Sequence, residues 1–222
     1  MILKKKRNVF VVAITSLLLL AACDDDSSTS PITPSNNEQS SSSIGEFVER
    51  GSMTDSRDGQ TYKTVKIGNQ TWMAQNLNYE TANSYCYDND SANCTKYGRL
   101  YTWAAAKKAC PSGWHLPGND AWEILFTELG GQSTAGKVLK STFEWNNNGN
   151  GTDAYGFSVL PAGIGDDGGD FYYVGESAKF WSASQEYLEY YAYCMVLFYN
   201  SDYASLSVFS TYHDFSVRCL KY

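Results

Sequence analysis

The sequence contains few of the residues and motifs that usually carry out catalysis. The chain holds two histidines, His115 and His213, and contains no His-x-x-x-His, Cys-x-x-Cys or Gly-x-Ser-x-Gly pattern. A zinc site or a serine triad would need distant residues to converge without any local signature. The sequence therefore favours a protein that is not an enzyme, and an enzyme with an unrecognised site stays as an alternative.

A metal could be bound by an acidic stretch in the second half of the chain. Asp166, Asp167 and Asp170 surround two glycines, and carboxylate and carbonyl oxygens on a flexible loop are the ligands that calcium prefers. The spacing lacks the bidentate glutamate of an EF-hand. A calcium site and an ordinary solvated acidic turn both stay open, and the turn is favoured.

Tyrosines crowd the carboxy-terminal third of the chain. Four of them are candidate ligand-binding residues, namely Tyr187, Tyr190, Tyr191 and Tyr203. Exposed rings beside Asn and Asp suit a polysaccharide, because sugar C–H faces pack on rings while hydroxyls bond to amides and carboxylates. The alternative is that these tyrosines simply cover a thin core.

Six cysteines are present, and Cys23 is the expected site of lipid attachment. The others should lie in an oxidising compartment, where structural disulfides are the default. Cys86 and Cys94 bracket a short Asp/Asn-rich loop and are expected to pair locally. Cys110 and Cys219 could join the middle of the domain to its end. Cys194, among aromatic residues, is then left as a buried inert thiol.

The amino-terminal residues 1–22 have the layout of a secretory signal. A basic stretch from Lys4 to Arg7 precedes an apolar run and Ala21-Ala22, directly before Cys23. This end resembles a lipobox, and the apolar run is short for a transmembrane helix, which is the alternative. The expected protein is a lipoprotein of the cell envelope, held in the outer membrane or on the cell surface by acyl chains.

Residues 23–52 predict a flexible tether, because Asp, Ser, Thr, Pro, Asn and Gln cannot bury enough surface to offset ordering entropy. Its Asp24-Asp25-Asp26 triplet resembles surface-export signals of some lipoproteins, with plain linker chemistry or inner-membrane retention as alternatives. Without the leader, 13 basic residues face 24 acidic ones, a net charge of −11. Nucleic acid is therefore not an expected partner.

Residues 53–222 predict a single domain with strands, then helices, then strands. Alternation around Gly68-Asn69 and around residues 200–202 indicates two hairpins, and residues 215–220 form the last strand. Residues 100–109 predict a short helix. A second helix begins at a cap on Asn119 or Asp120 and ends before Gly130-Gly131. This order predicts an α+β fold with mainly antiparallel sheets, two short helices and long irregular loops.

Five sequence blocks together resemble the Fibrobacter succinogenes major paralogous domain family, from about Thr54 to Lys221. They are Asp58-Gly-Gln-Thr-Tyr-Lys-Thr-Val-Lys-Ile-Gly, Thr71-Trp-Met-Ala-Gln-Asn-Leu-Asn-Tyr, Tyr97-Gly-Arg-Leu-Tyr-Thr-Trp-Ala-Ala-Ala, Cys110-Pro-Ser-Gly-Trp-His-Leu-Pro and Phe215-Ser-Val-Arg-Cys. The resemblance implies a domain of unassigned function carried by exported proteins of fibre-degrading and gut bacteria. Asp214 stands where this family usually has glycine.

A more distant resemblance is to the C-type lectin fold, which formylglycine-generating enzymes share. Trp103, Cys110 and Leu116 are similar to its first-helix signature, and Phe215 to Cys219 is similar to its closing strand. That resemblance implies a disulfide between the helix and the closing strand, but the calcium and sugar motifs of true lectins are absent. The expected function is glycan binding or adhesion at the cell surface, and an envelope assembly protein is the alternative.

Overall fold

The computed structural model describes residues 48–221, which combine helices with mainly antiparallel strands. The strands are β1 (Arg50–Thr54), β2 (Thr61–Ile67), β3 (Gln70–Met73), β4 (Ser84–Tyr85), β5 (Leu100–Thr102), β6 (Trp114–His115), β7 (Ala162–Gly165), β8 (Phe171–Val174), β9 (Ser177–Gln185), β10 (Tyr191–Phe198), β11 (Ala204–Ser210), β12 (Asp214–Phe215) and β13 (Leu220–Lys221). The helices are α1 (Ser91–Tyr97), α2 (Trp103–Ala109), α3 (Asn119–Glu128) and α4 (Gln132–Leu139). The predicted α+β class is therefore confirmed.

The strands form two sheets. One has the order β1-β2-β3-β13-β6, and the other has the order β11-β10-β9-β7-β12-β5-β4, with β8 also paired to β7. Within residues 48–221 the strand pairs are antiparallel except β7 with β9, where Gly163 lies opposite Ala178. Because β1 begins at Arg50, regular structure extends into the stretch assigned to the tether.

Both hairpins predicted from alternating sequence are present. In the first, Ile67 pairs with Gln70 across Gly68-Asn69, and in the second, Leu197 pairs with Ala204. The buried face of β2 changes along the strand: Tyr62 and Thr64 are buried on one face in its first half, and Val65 and Ile67 are buried on the other face in its second half. Tyr62 packs into one apolar cluster, and Val65 and Ile67 pack into another, so β2 contributes to two parts of the core.

The predicted last strand, residues 215–220, is instead two short strands in different sheets. Phe215 on β12 pairs with Tyr101, whereas Leu220 on β13 pairs with Trp72 and His115. The prediction of one strand is wrong because the apolar run carries the chain from one sheet to the other. This crossing segment ties the two sheets together.

The described residues contain four α-helices, so the prediction of two is wrong. Helix α1 was missed inside the cysteine loop, where Asp90 caps it by accepting from the Ala92 amide at 2.9 Å. Residues 100–102 of the predicted first helix are strand β5, since pairing with β4 and β12 overrides local helix propensity. The helix itself starts at Trp103, with Thr102 as its cap.

Helix α3 packs its apolar stripe onto the core between the sheets. Trp122, Leu125 and Phe126 are buried, and the Trp122 ring lies 4.7 Å from the ring of Trp72 on β3. The helix ends before the predicted glycine pair, but its cap is Gly118 rather than Asn119 or Asp120. Asn119 instead accepts from the Ser182 hydroxyl at 2.8 Å, which fixes the helix to β9.

Candidate functional site

One cleft of about 490 Å³ gathers aromatic rings and carboxylates, and we call it the acidic cleft. Its walls are the ends of β4 and β5, the start of α2, the β7–β8 turn, the β9–β10 loop and the segment before β12. Its lining residues are Tyr85, Asn89, Thr102, Trp103, Ala104, Asp166, Asp167, Gly169, Phe171, Glu189, Thr211, Tyr212 and Asp214. Loops from distant parts of the chain therefore converge on it.

The rings of the acidic cleft differ in how firmly they are held. Trp103 donates from Nε1 to the Ser182 carbonyl at 2.8 Å, and the Lys107 ammonium lies 3.7 Å above its ring. Tyr85 and Tyr212 are exposed, and Tyr212 stacks on Tyr190 with ring centroids 5.8 Å apart. The cleft thus has one fixed indole and two accessible phenol rings.

The Tyr190–Tyr212 stack is supported by its backbone. The Thr211 amide donates to the Tyr190 carbonyl at 2.9 Å, and the Thr211 hydroxyl reaches the same oxygen at 3.3 Å. The β9–β10 loop and the loop before β12 are therefore joined at the rim. Because a stacked ring loses little freedom on binding, this pair is a prepared apolar platform.

The acidic residues 166–170 form a hydrogen-bonded turn. Asp166 Oδ1 accepts from the Asp170 amide at 3.0 Å, and the Asp166 amide donates to the Asp170 carbonyl at 3.1 Å. Asp166 and Asp167 line the acidic cleft, whereas Asp170 does not. Among the described residues no three His, Cys, Asp or Glu side chains are grouped to hold a metal ion, so the structure gives the calcium prediction no support.

Close approach of β7 and β8 positions this turn. Gly163 has φ of +69°, and a Cβ at that position would collide with the Tyr172 carbonyl oxygen. Only glycine adopts this backbone conformation without strain while letting the strands come so close. The acidic turn is consequently presented at a defined edge of the cleft.

Asp214 is one of several cleft residues that were not among the candidates drawn from the sequence. It lies on β12 between Thr102 and Gly165, its side chain is almost fully buried at 3% exposure, and Oδ1 has no hydrogen-bond partner. Burial, then the charges of Asp166 and Asp167, raise the pKa of the Asp214 carboxyl to about 7. The sequence feature that could have drawn attention to Asp214 is that it stands where the resembled family usually has glycine.

The four predicted tyrosines do not form one site. Tyr187 is 97% exposed, and it lies with Tyr190 and Tyr191 around the β9–β10 loop. Tyr203 lies at the opposite end of β10, where its hydroxyl donates to Gln132 on α4. Of the four, only Tyr190 reaches the acidic cleft, through its stack on Tyr212.

A second hollow of about 580 Å³, the lysine hollow, adjoins the acidic cleft. It is lined by Ile164, Asp166, Tyr172, Tyr173, Lys179, Phe198, Phe209 and His213, and Asp166 lines both spaces. Lys179 is 5% exposed, its ammonium lies 4.7 Å from the Phe209 ring centroid, and burial lowers its pKa. Asp166 therefore lies at the boundary between the two spaces.

Residues 48–221 contain two disulfides, Cys86–Cys94 and Cys110–Cys219, in the pairs that the sequence predicts. Cys86 directly follows Tyr85, so the first disulfide anchors one wall of the acidic cleft. Cys194 is a buried free thiol whose pKa is raised by burial. Burial of the neutral thiol suits a structural residue rather than a nucleophile.

Residues 65–221 match the Fibrobacter succinogenes major domain. The chain belongs to this family. No curated protein and no solved structure matches the chain. Every lining residue of the acidic cleft lies within the Fibrobacter succinogenes major domain, and Cys23 lies outside the described residues. None of the described helices has the length and apolar character needed to cross a bilayer.

The closing motif of the Fibrobacter succinogenes major domain, residues 215–219, is buried in the core directly after Asp214. Phe215 stacks on Trp181 at 4.3 Å between ring centroids. Arg218 is buried and donates to Asn76 Oδ1 at 2.7 Å and to the Ser158 carbonyl at 2.9 Å. Its guanidinium thus satisfies backbone and amide oxygens that would otherwise be buried without partners. This motif is structural, and Asp214 immediately before it faces the cleft.

Proposed function

We propose that this protein is a lipid-anchored envelope protein whose Fibrobacter succinogenes major domain binds polysaccharide or another glycan. The observation that carries the proposal is the acidic cleft, in which accessible tyrosine rings stand beside carboxylate, amide and hydroxyl oxygens. Pyranose rings present apolar C–H faces and a rim of hydroxyls. Rings and oxygens in one concave site complement both surfaces.

Each part of the cleft has a role in this proposal. Tyr212, backed by Tyr190, offers a flat face for one sugar ring, and Tyr85 offers a second ring on the β4 side. Asn89, Thr102 and Thr211 supply neutral hydrogen-bonding groups around them. The neighbouring lysine hollow gives a longer glycan chain further aromatic surface.

The envelope location is proposed from the amino-terminal sequence. Cleavage before Cys23 and lipidation of its sulfur would anchor the chain, with the acidic tether holding the domain away from an outer-membrane surface. The distant C-type-lectin-like scaffold belongs to the same proposal. It is supported by the Cys110–Cys219 disulfide, which joins the end of α2 to the closing segment.

Retention of the mature protein on insoluble cellulose, xylan and mucin tests the proposal. We expect retention on at least one of them, and about tenfold weaker binding for Tyr212→Ala because the stacked platform is lost. Tyr187→Ala is the matched control, since Tyr187 is highly exposed and does not line the cleft.

Three outcomes would count against this function. No retention on any polysaccharide would favour the alternative of an envelope assembly protein. Retention that Tyr212→Ala leaves unchanged would remove the acidic cleft from the binding site. Turnover of a soluble glycan would favour the enzyme alternative over a binding protein.

A further inference from the structure

The charged side chains that line the acidic cleft are all acidic. Its lining contains four carboxylates, from Asp166, Asp167, Glu189 and Asp214, and no lysine, arginine or histidine. Two lysines lie beside the cleft without lining it: Lys107 lies over the Trp103 ring, and Lys179 faces Phe209 and Phe215 in the lysine hollow, which His213 also lines. A cleft of this kind concentrates cations and repels anionic ligands.

Asp214 is the carboxylate of the cleft at which a positively charged ligand would gain most. Its side chain is 97% buried, lines the cleft, and leaves Oδ1 without a hydrogen bond in the described structure. A buried carboxylate without a partner is destabilising, because it has lost hydration and gained nothing in return. A ligand that brings a positive hydrogen-bond donor would remove that deficit.

We propose that the acidic cleft binds glycans that carry free amino groups, that is, polymers containing de-N-acetylated hexosamine units. The inference rests on the proposed glycan-binding function and specifies its ligand class. A sugar ring packs on Tyr212, and its ammonium group bonds to Asp214, while Asp166 and Glu189 line the same cleft. The aromatic lining adds cation–π attraction for the same group.

The protonation of Asp214 makes the proposal measurable in a second way. Because its pKa is raised to about 7, Asp214 is mostly protonated at about pH 6, where the ligand amine is mainly in its ammonium form, so the ammonium must displace the Asp214 proton. Binding of an amino sugar should therefore release protons to the buffer. A neutral sugar that only packs on the rings should release none.

The decisive experiment compares two oligosaccharides of equal length, one of glucosamine and one of N-acetylglucosamine. Titration calorimetry of the mature protein at about pH 6, in buffers of different ionisation enthalpy, measures affinity and proton release together. We expect the glucosamine oligomer to bind about tenfold more tightly, with proton release. The preference and the proton release should both disappear in Asp214→Asn.

Two further variants complete the comparison. Asp170→Asn removes a carboxylate of the same turn that does not line the cleft, and it should behave as the unmodified protein. Glu189→Gln changes an exposed loop residue and should weaken only the amine preference, so it replaces Asp214→Asn if that variant does not fold.

The results separate this inference from the function on which it rests. Equal affinity for the two oligomers overturns the amine preference while leaving glycan binding intact. A preference that survives in Asp214→Asn and Glu189→Gln also overturns it. Failure of every polysaccharide and both oligomers to bind overturns the proposed function itself.

Discussion

Replacing Asp214 by Asn should make the stability of the protein less dependent on pH. The pKa of the Asp214 carboxyl rises from 3.8 to about 7 on folding. Between these values the folded state holds a proton that the unfolded state has lost. The free energy of unfolding therefore falls as pH rises through this window, and it is lowest above about pH 7.

The size of the effect follows from that shift. About three pKa units at about 1.36 kcal/mol each correspond to a loss on the order of 4 kcal/mol. Asparagine keeps the shape but cannot ionise, and an unpaired buried amide costs about 1 to 3 kcal/mol. Asp214→Asn should consequently raise the free energy of unfolding by about 2 kcal/mol above neutral pH.

Urea unfolding of the mature protein and of Asp214→Asn, at intervals from about pH 4 to about pH 9, measures this difference. The difference in free energy of unfolding between the two proteins should grow with pH and then level off above about pH 7. The other titrating groups are the same in both proteins, so their contributions cancel in this difference. Asp170→Asn, on the exposed part of the acidic turn, is the control and should give no such trend. A constant difference between the curves at all pH values would refute a buried, titrating Asp214.

The disulfides and the free thiol give two further predictions. Replacing Cys110 and Cys219 by Ala should lower the free energy of unfolding by about 5 kcal/mol, and replacing Cys86 and Cys94 should lower it by about 2.6 kcal/mol. The difference arises because the first disulfide joins residues 109 positions apart and the second joins residues 8 positions apart. Urea unfolding measures both losses, and equal losses would contradict loop entropy as the cause. Cys194 should react with a thiol reagent only after denaturation, because its side chain is buried. Reaction of the folded, unreduced protein would contradict that burial.

Local sequence was sufficient to predict those elements whose structure is decided by interactions between nearby residues. The apolar spacing of residues 122–129 fixed α3 and its buried face, and turn dipeptides located both hairpins. Where long-range pairing competes with local preference, sequence reasoning failed. Residues 100–102 became strand β5 rather than helix because β4 and β12 pair with them on both sides.

The closing segment and the tyrosines show the same limit. Alternation in residues 215–220 indicates extended backbone, but only the arrangement of the sheets decides that Phe215 and Leu220 pair in different ones. Likewise Tyr190 and Tyr203 look equivalent along the chain. The length of β10 places them at opposite ends of a hairpin, so only one can reach the cleft.

By itself the sequence determined the family, the hairpins, the main helix and the cysteine pairs, because these depend on nearby residues or on distinctive motifs. The acidic cleft was decided by tertiary structure alone, since Tyr85, Asp166, Tyr212 and Asp214 meet only when the sheet that contains β4, β7 and β12 has formed. The same packing took Asp214 out of water and left its carboxylate unpaired. Solvation and long-range proximity are properties of the folded chain, and no local pattern encodes them.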